Sequence, residues 1–357
     1  MYTNSVIVGT GAYLPATKIP GSYFHRNTFF RKNGEPIEKA SEAIVHKLEE
    51  ISGIRERRYI EDHYQTAHMA ALAAENAIKN AAIDREQLDG IIVAHNFGNL
   101  VDQSQGSHLI PNLAALVKHH LHIKSQDCFA VDLLFGCPGW VQAMIQAHQA
   151  IACGDAEHIL VVGAEAMSRV LDPHDPDSML FGDGAGAVVV KGSKEEKPRG
   201  VLANKTFSNC DEEVNYLRMG ASTNPDLDKG LYVKMQGKKV YRYAVENMPN
   251  LIHSCLKKAG VSMEKVAKFL MHQANEKMLR AIYDKTIGDV GDSAAKFCQQ
   301  VPVILQNIGN SSVATIPTLL DVMLRGQLPE HKVAKDDVVV MASVGAGMHT
   351  NCLIYQF

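Results

Sequence analysis

Residues 127–147 read DCFAVDLLFGCPGWVQAMIQA, a short apolar strand, a tight turn and the start of a helix. Pro138 suits the first helical position, because its missing N–H is one that a helix leaves without a partner. Cys137 therefore lies beside the positive end of the helix dipole, which favours thiolate over thiol. The stretch predicts a nucleophilic cysteine. A buried cysteine that packs as a small apolar side chain is the alternative.

Composition indicates a large soluble protein without a nucleic-acid or membrane surface. The chain has 357 residues, 46% of them hydrophobic, with 36 basic and 39 acidic side chains. This length can bury a large core, and the absence of blocks of like charge argues against nucleic-acid and membrane partners. Seven scattered cysteines without a CxxC pair predict neither a disulfide framework nor a metal site. We expect a cytoplasmic protein without a signal peptide.

The glycines near the N-terminus do not predict a dinucleotide-binding loop. The stretch GTGAYLP (9–15) has Leu14 where the third glycine of GxGxxG would fall. Pro15 follows directly and interrupts the helix that such a loop requires. No cofactor is therefore expected.

Three segments in the first part of the chain recur, in the same order, in the second part. The pairs are 67–94 with 243–271, 137–163 with 310–342, and 182–190 with 344–355. The conserved order predicts two similar α/β halves, residues 1–194 and 195–357, each built on a largely buried sheet. Chance likeness between generic α/β patterns is the alternative.

Two polar residues of the second half are candidate partners for Cys137. His272 directly follows a buried type of strand, and ligands of open α/β sheets bind at strand ends. The chain has sixteen histidines, so His272 alone would count for little. Asn310 lies in a polar turn that opens a helix, where plain N-capping would also explain it. Together, a thiolate and two neutral N–H donors suit acyl transfer and can hold the oxyanion of a thioester enolate.

These residues belong to a set of motifs that covers nearly the whole chain. The motifs are GIRERR (53–58), the Cys137 turn, FGDGAGA (181–187), KMQGKKVYRYAVE (234–246), HQAN (272–275), GNSS (309–312) and VGAGMHT (344–350). With them the chain resembles the thiolase-like condensing enzymes, specifically the 3-oxoacyl-acyl-carrier-protein synthase III group. The resemblance implies that Cys137, His272 and Asn310 are the catalytic triad. It also implies a thiolase-like five-layer αβαβα fold and a homodimer.

The implied reaction joins two thioesters with loss of CO2. An acyl group moves from CoA or acyl carrier protein to Cys137, and the enolate of a decarboxylated malonyl-acyl carrier protein attacks it. The resemblance implies no metal and no other cofactor. Backbone N–H groups of Cys137, Ala346 and Gly347 would form the oxyanion hole. The family usually has glycine where Ala346 stands, and alanine there is strained if that position needs a positive φ.

The sequence departs from the family where acetyl-CoA enzymes hold the adenine. The tryptophan before GIRER and the arginine before FGDG are both missing, and the acidic loop 172–178 would repel CoA phosphates. We therefore expect weaker use of CoA and an acyl donor delivered by carrier protein. Lys277 and Asn275 are expected at the pantetheine. Trp140 and the insert at 22–50 are expected to shape an acyl pocket, with plain packing as the alternative for both.

Other functions stay open on the same motifs. The fold could serve an acyltransferase with an O or N acceptor, or a secondary-metabolite ketosynthase that joins two long acyl chains. A non-catalytic partner subunit is a third possibility. The intact Cys137, His272 and Asn310 argue against it, because a silent subunit has no need of a nucleophile.

Overall fold

The computed structural model of the chain describes residues 4–102, 106–195, 199–227, 230–288 and 293–357. The strands in this part are β1 (Asn4–Tyr13), β2 (Thr17–Pro20), β3 (Glu56–Tyr59), β4 (Gly90–His95), β5 (Asn99–Leu100), β6 (Ser107–His108), β7 (Phe129–Leu134), β8 (His158–Glu165), β9 (Gly184–Ser193), β10 (Gly200–Ser208), β11 (Leu217–Gly220), β12 (Tyr232–Met235), β13 (Val266–Met271), β14 (Val338–Gly345) and β15 (His349–Gln356). The α-helices are α1 (Ser41–Ser52), α2 (Thr66–Ala81), α3 (Leu113–His120), α4 (Gly139–Cys153), α5 (Gly237–Ala259), α6 (Glu276–Ile287), α7 (Ser293–Gln300), α8 (Leu305–Ile308) and α9 (Thr315–Leu324). Within the same ranges, no helix combines the length and the apolar character needed to cross a membrane.

Two mixed sheets repeat one topology. The first has the order β1-β9-β8-β4-β7, and the second has the order β10-β15-β14-β13. In the first sheet β9 pairs antiparallel with β1 and β8, and in the second sheet β15 pairs antiparallel with β10 and β14. The remaining equivalent pairs are parallel, β8 with β4 and β14 with β13. The strands of the first sheet end at Ser193 and those of the second begin at Gly200, on either side of the predicted division at 194/195.

Helices lie in three layers around these two sheets. Helices α4 and α9 pack in one apolar cluster with both sheets, with Trp140 and Leu320 among their core residues. Helices α2 and α3 cover the other face of the first sheet, and α5, α6 and α7 cover the other face of the second. Successive strand residues point to opposite faces, so Ile91 packs in the outer cluster and Ile92 in the central one. The predicted five-layer αβαβα arrangement is confirmed.

A pair of glycines brings the second half against the first sheet. Gly163 on β8 and Gly186 on β9 are register partners. A Cβ on Gly163 would lie 2.6 Å from the carbonyl oxygen of Val313, and one on Gly186 would lie 2.6 Å from the backbone nitrogen of Thr318. Only glycine permits the backbone of the second half to pack this closely on the sheet. The close packing places the segment before α9 at the carboxyl end of β8.

The insert at 22–50 forms a small core of its own. Phe24, Phe29 and Val45 are buried there together with Met179. The buried Arg57 guanidinium stacks over the Phe24 ring at 5.0 Å and donates to the carbonyl oxygen of Met179. The insert is therefore held to the body of the protein by packing and hydrogen bonds.

Trp140 lies in the core, and its expected place in an acyl pocket is wrong. The side chain is 1% exposed, packs with the central cluster and contacts Gly163. It lines neither of the two large cavities that reach Cys137. Its position in the first turn of α4 directs it between the two sheets, away from the substrate side.

We expect Trp140→Ala to lower the free energy of unfolding by about 3–5 kcal/mol, because it leaves a large cavity in the central layer. The choice of acyl donor should not change. Trp140→Phe is the matched control and should cost less than about 1.5 kcal/mol, because the buried indole N–H has no partner among the described residues. Urea unfolding and a panel of acyl donors measure both. An altered donor preference in Trp140→Phe would show that Trp140 does shape the substrate pocket.

Candidate active site

Three polar side chains from separate parts of the chain line one cavity of about 470 Å³. Cys137 lies in the turn between β7 and α4, His272 directly follows β13, and Asn310 lies between α8 and α9. The structure thus brings together the three residues that the sequence singled out. Helix α1 of the insert and the start of α6 line the same cavity through Leu48, Ile51, Ser52, Asn275, Lys277 and Met278.

The FGDG motif holds Asn310 in place through the backbone. The Asn310 N–H donates to the carbonyl of Leu180 at 2.9 Å, and the Gly182 N–H donates to the carbonyl of Asn310 at 3.0 Å. Asp183 of the same motif accepts from the N–H groups of Ile60 and Ser168. The motif therefore ties both halves of the chain together beside the catalytic residues.

The surroundings of Cys137 oppose the predicted thiolate at rest. The residue is partly exposed towards the cavity, but protein surrounds its sulfur. Burial raises the pKa of the thiol to about 11. The Ser312 hydroxyl donates to the sulfur at 3.5 Å and lowers the pKa, while the Glu165 carboxylate raises it. Desolvation of the charged form is the largest of these effects.

His272 presents a lone pair to the cavity. Its Nδ1 is 2.7 Å from the Thr315 hydroxyl, which gives its own proton to the Ser312 carbonyl at 3.0 Å. The hydroxyl must therefore accept from Nδ1–H, which assigns the acceptor role to Nε2. Burial lowers the pKa of His272 to about 4, so the ring is neutral at physiological pH. The imidazole can thus take a proton from the thiol, and Nε2 becomes a donor only after that transfer.

The Asn310 side chain presents its amide N–H group to the cavity. The side-chain oxygen accepts from the Ser312 N–H at 2.9 Å, which fixes the orientation of the amide. The nitrogen Nδ2 has no hydrogen-bond partner among the described residues. A buried amide N–H of this kind can hold an oxyanion that enters the cavity.

The turn at 345–347 packs directly on the Cys137 loop. A Cβ on Gly345 would lie 2.5 Å from the Cys137 backbone nitrogen, and one on Gly136 would lie 2.7 Å from the Ala346 nitrogen. The left-handed φ of the turn falls on Gly347 (75°), not on Ala346. Alanine is therefore unstrained there. The oxyanion-hole role of the Cys137, Ala346 and Gly347 N–H groups stays a prediction.

A second cavity of about 270 Å³ lies on the other side of Cys137. Its apolar walls include Leu134, Phe135, Met167, Phe181, Leu217 and Val233. Phe135 stacks on His349 at 4.1 Å between ring centroids. Cys137, Phe181 and Leu217 line both cavities, so Cys137 stands where the two meet.

Most of the acidic loop 172–178 does not face the catalytic cavity. Asp172 and Asp175 are buried and both form ion pairs with Lys234. Asp172 also accepts from the backbone and hydroxyl of Thr223. Asp177 alone of these lines the cavity, and burial, followed by the charge of Asp175, raises its pKa to about 6. Lys234 balances only one of these two charges, so the expected repulsion of CoA phosphates is weakened and not removed.

The two residues expected at the pantetheine differ in their surroundings. Lys277 is exposed and lines the cavity, so its ammonium is available at the entrance. The Asn275 side chain also lines the cavity, but its oxygen accepts from the Met278 N–H at 2.8 Å and caps α6. The plain capping function thus accounts for Asn275.

Sequence reasoning missed four residues around the triad: Asn96, Glu165, Ser312 and Thr315. Ser312 contacts Cys137 and Asn310, and Thr315 contacts His272. Glu165 is a charged residue at the end of the otherwise apolar strand β8. That contrast was a usable signal, because an unexplained carboxyl at a strand end points to a site.

The fold and the site define a thiolase-like enzyme that forms an acyl-cysteine. Models of the 3-oxoacyl-[acyl-carrier-protein] synthase III family match residues 131–209 and, for its C-terminal part, residues 256–357. The chain is 33% identical to beta-ketoacyl-[acyl-carrier-protein] synthase III 1 of Vibrio cholerae over 99% of both chains, and 32% identical to the synthase III of Ruegeria sp. over the full length of both. The crystal structure of the synthase III from Aquifex aeolicus superposes with a TM-score of 0.80 at 29% identity, over 99% of this chain and 100% of that one. The chain belongs to the 3-oxoacyl-[acyl-carrier-protein] synthase III family.

We expect Cys137→Ser to abolish formation of the acyl-enzyme, because a serine hydroxyl at this buried site stays un-ionised. Intact-mass spectrometry after incubation with acyl thioesters measures the covalent adduct. Cys153→Ser, at an exposed cysteine near the end of α4, is the matched control and should acylate normally. An acyl adduct on the Cys137→Ser protein would show that the nucleophile lies elsewhere.

Proposed function

We propose that the chain catalyses a decarboxylative Claisen condensation between an acyl thioester and malonyl-acyl carrier protein, through an acyl group on Cys137. The observation that carries this proposal is the junction at the sulfur. A cavity lined by His272 and Asn310 and a second, smaller cavity with several apolar side chains in its walls both include Cys137. The first suits a carrier-bound thioester and the second suits the chain of the bound acyl group.

The first half-reaction moves the acyl group onto the sulfur. The Cys137 proton passes to Nε2 of His272, and the sulfur attacks the thioester carbon. The C–S bond of the donor breaks, and its departing thiolate takes the proton from the imidazolium. Because the resting thiol has a pKa of about 11, the thiolate is not present beforehand and forms through this proton transfer.

The second half-reaction forms the carbon–carbon bond. The malonyl C–CO2 bond breaks, and its electron pair forms an enolate whose oxygen is held by Nδ2 of Asn310. The enolate carbon attacks the acyl-cysteine, and the Cys137 thiolate departs. One proton from solvent, passed through Nε2 of His272, restores the thiol.

The relatives named above are acyl-carrier-protein synthases, which supports acyl carrier protein as the partner that brings the malonyl group. Lys238 and Lys277 line the cavity and offer positive charge to a pantetheine phosphate. The pairing of Asp172 and Asp175 with Lys234 weakens the argument against a CoA donor, but the missing tryptophan and arginine still favour a donor delivered by acyl carrier protein. The seven cysteines are all unpaired, which fits the reducing cytoplasm as the location.

We expect His272→Ala to slow both half-reactions, each by about 100-fold, because the imidazole moves a proton in both. Asn310→Ala should leave acylation nearly unchanged and slow only decarboxylation. Adduct formation by intact mass and CO2 release from malonyl-acyl carrier protein separate the two steps. Normal acylation in His272→Ala would remove its role as the base. Acyl transfer to an O or N acceptor without any CO2 release would refute the condensation.

We further infer that the protein is a homodimer paired through β7. This strand is an edge of its sheet, and its side chains Phe129, Val131 and Leu134 are exposed at 37%, 42% and 63%. An apolar edge strand without a partner pairs readily with another chain. A two-fold axis would place β7 of one copy antiparallel to β7 of the second.

We expect Val131→Lys to yield a monomer, because a lysine on an edge strand opposes pairing. Size-exclusion chromatography with light scattering measures the mass. Val214→Lys, at an exposed valine outside the strands, is the matched control and should stay dimeric. If Val131→Lys keeps the mass of a dimer, the interface lies on another surface.

A further inference from the structure

A buried carboxyl behind the triad has no part in the mechanism given so far. Glu165 ends β8 and is fully buried. Its Oε2 accepts from the backbone N–H of Asn96 at 3.0 Å and from the Asn96 side-chain amide at 2.7 Å. Its Oε1 has no partner among the described residues. A carboxyl buried with half of its hydrogen-bonding capacity unused calls for a function.

The Asn96 amide connects this carboxyl to the active site. Its nitrogen carries two hydrogens, of which one reaches Glu165 and the other reaches the Ser312 hydroxyl at 3.0 Å. With the amide turned around, its oxygen would face an ionised carboxylate. That arrangement is repulsive, so the charge on Glu165 decides which end of Asn96 faces Ser312.

The Ser312 hydroxyl then has one possible direction for its proton. Its oxygen already accepts from Asn96, and the Cys137 sulfur lies 3.5 Å away as the next acceptor. Donation to sulfur stabilises the thiolate relative to the thiol. If Asn96 were turned, the hydroxyl would instead donate to the amide oxygen.

We propose that Glu165 is a positioning residue that orients Asn96 and thereby directs the Ser312 hydroxyl to donate to the Cys137 sulfur. Ser312 is then the group that touches the reacting atom, and Glu165 acts through it. The chain of hydrogen bonds makes the sulfur easier to ionise when it attacks the acyl donor. The importance of this effect for turnover rests on the proposed function, but the effect itself is a property of the thiol.

Two opposing effects of Glu165 make the proposal testable. Its negative charge raises the pKa of Cys137 directly, whereas the hydroxyl that it orients lowers the pKa by a larger amount. Burial raises the pKa of Glu165 itself to about 7, against the nearby charge of His95 and the N–H groups of Asn96 and Phe97. His95 is in turn bonded to Asp132 at 2.8 Å. The orienting charge is therefore present above pH 7 and is lost below it.

Alkylation by iodoacetamide, resolved by peptide mass spectrometry, measures the thiolate at Cys137 without any need for condensation. We expect Glu165→Gln to slow alkylation at pH 8 by about tenfold, because a directed donor to the charged sulfur is lost. The exposed Cys153 and Cys298 in the same samples are internal references and should react unchanged. A rate equal to or above that of the wild type would overturn the proposal, because only the direct charge effect would then remain.

A comparison in the Ser312→Ala background tests whether Glu165 acts on Cys137 through the Ser312 hydroxyl. This variant keeps the Ser312 backbone contacts and removes the hydroxyl, so it should also slow alkylation. In that background Glu165→Gln should cause no further loss, and removal of the negative charge should raise the rate. An equal slowing in both backgrounds would show that Glu165 acts independently of Ser312 and would refute the proposal.

A pH profile separates orientation from simple structural support. In the wild type, the alkylation rate should fall more than tenfold per unit close to pH 7, because the thiolate and the orienting charge are lost together, and should return to the plain tenfold slope once Glu165 is protonated. Glu165→Gln should show the plain slope throughout. Ser312→Ala should show a slope near pH 7 that is no steeper than tenfold, because only the direct charge effect of Glu165 is left. A wild-type profile without the extra fall would contradict the proposal. If Glu165→Gln does not fold, Asn96→Ala breaks the same chain and should also alkylate slowly, without the extra fall near pH 7.

Discussion

Ser312 is the residue on which the geometry of the site depends. Its N–H binds the Asn310 side-chain oxygen, its carbonyl accepts from Thr315, which holds His272, and its hydroxyl donates to Cys137. These three contacts require a left-handed backbone at Ser312, with φ at 53°. Such a conformation in a residue other than glycine costs roughly 1–3 kcal/mol. The surrounding packing supports it, because the segment before α9 is pressed against the glycines of the first sheet.

Burial leaves the catalytic pair neutral at rest. Desolvation raises the pKa of the Cys137 thiol and lowers that of the His272 imidazole, so neither carries a charge at neutral pH. A neutral pair avoids the cost of two isolated charges in a dry site. Reactivity then depends on a proton transfer at the moment of attack, and on hydrogen bonds already directed at the sulfur. The enclosed site makes those hydrogen bonds stronger than they would be in water.

The position of Cys137 between two cavities separates the two parts of a thioester. In the proposed reaction, the carrier would reach the sulfur through the cavity lined by α1 and α6, and the acyl chain would lie against the apolar walls of the smaller cavity. Lys234 pairs with two carboxylates of the loop that precedes FGDG and balances one of their charges, while Asp177 and the lysines of the entrance line the cavity. The repeated topology explains why one half of the chain supplies the sulfur and the other supplies the imidazole and the amide.

The sequence by itself determined the doubled five-layer fold, the family and the three residues that meet in the cavity. Hydrophobic periodicity and the motifs at 272–275 and 309–312 are local, so they can be read without coordinates. Only the tertiary structure decided the protonation of Cys137, the place of Trp140 and the pairing of the acidic loop. A pKa depends on desolvation by residues distant in the chain, and the direction of a side chain depends on which sheets enclose it. The contacts of the Ser312 hydroxyl with Asn96 and Cys137 are of the same kind, because they join segments more than a hundred residues apart that become neighbours only when the two halves pack together.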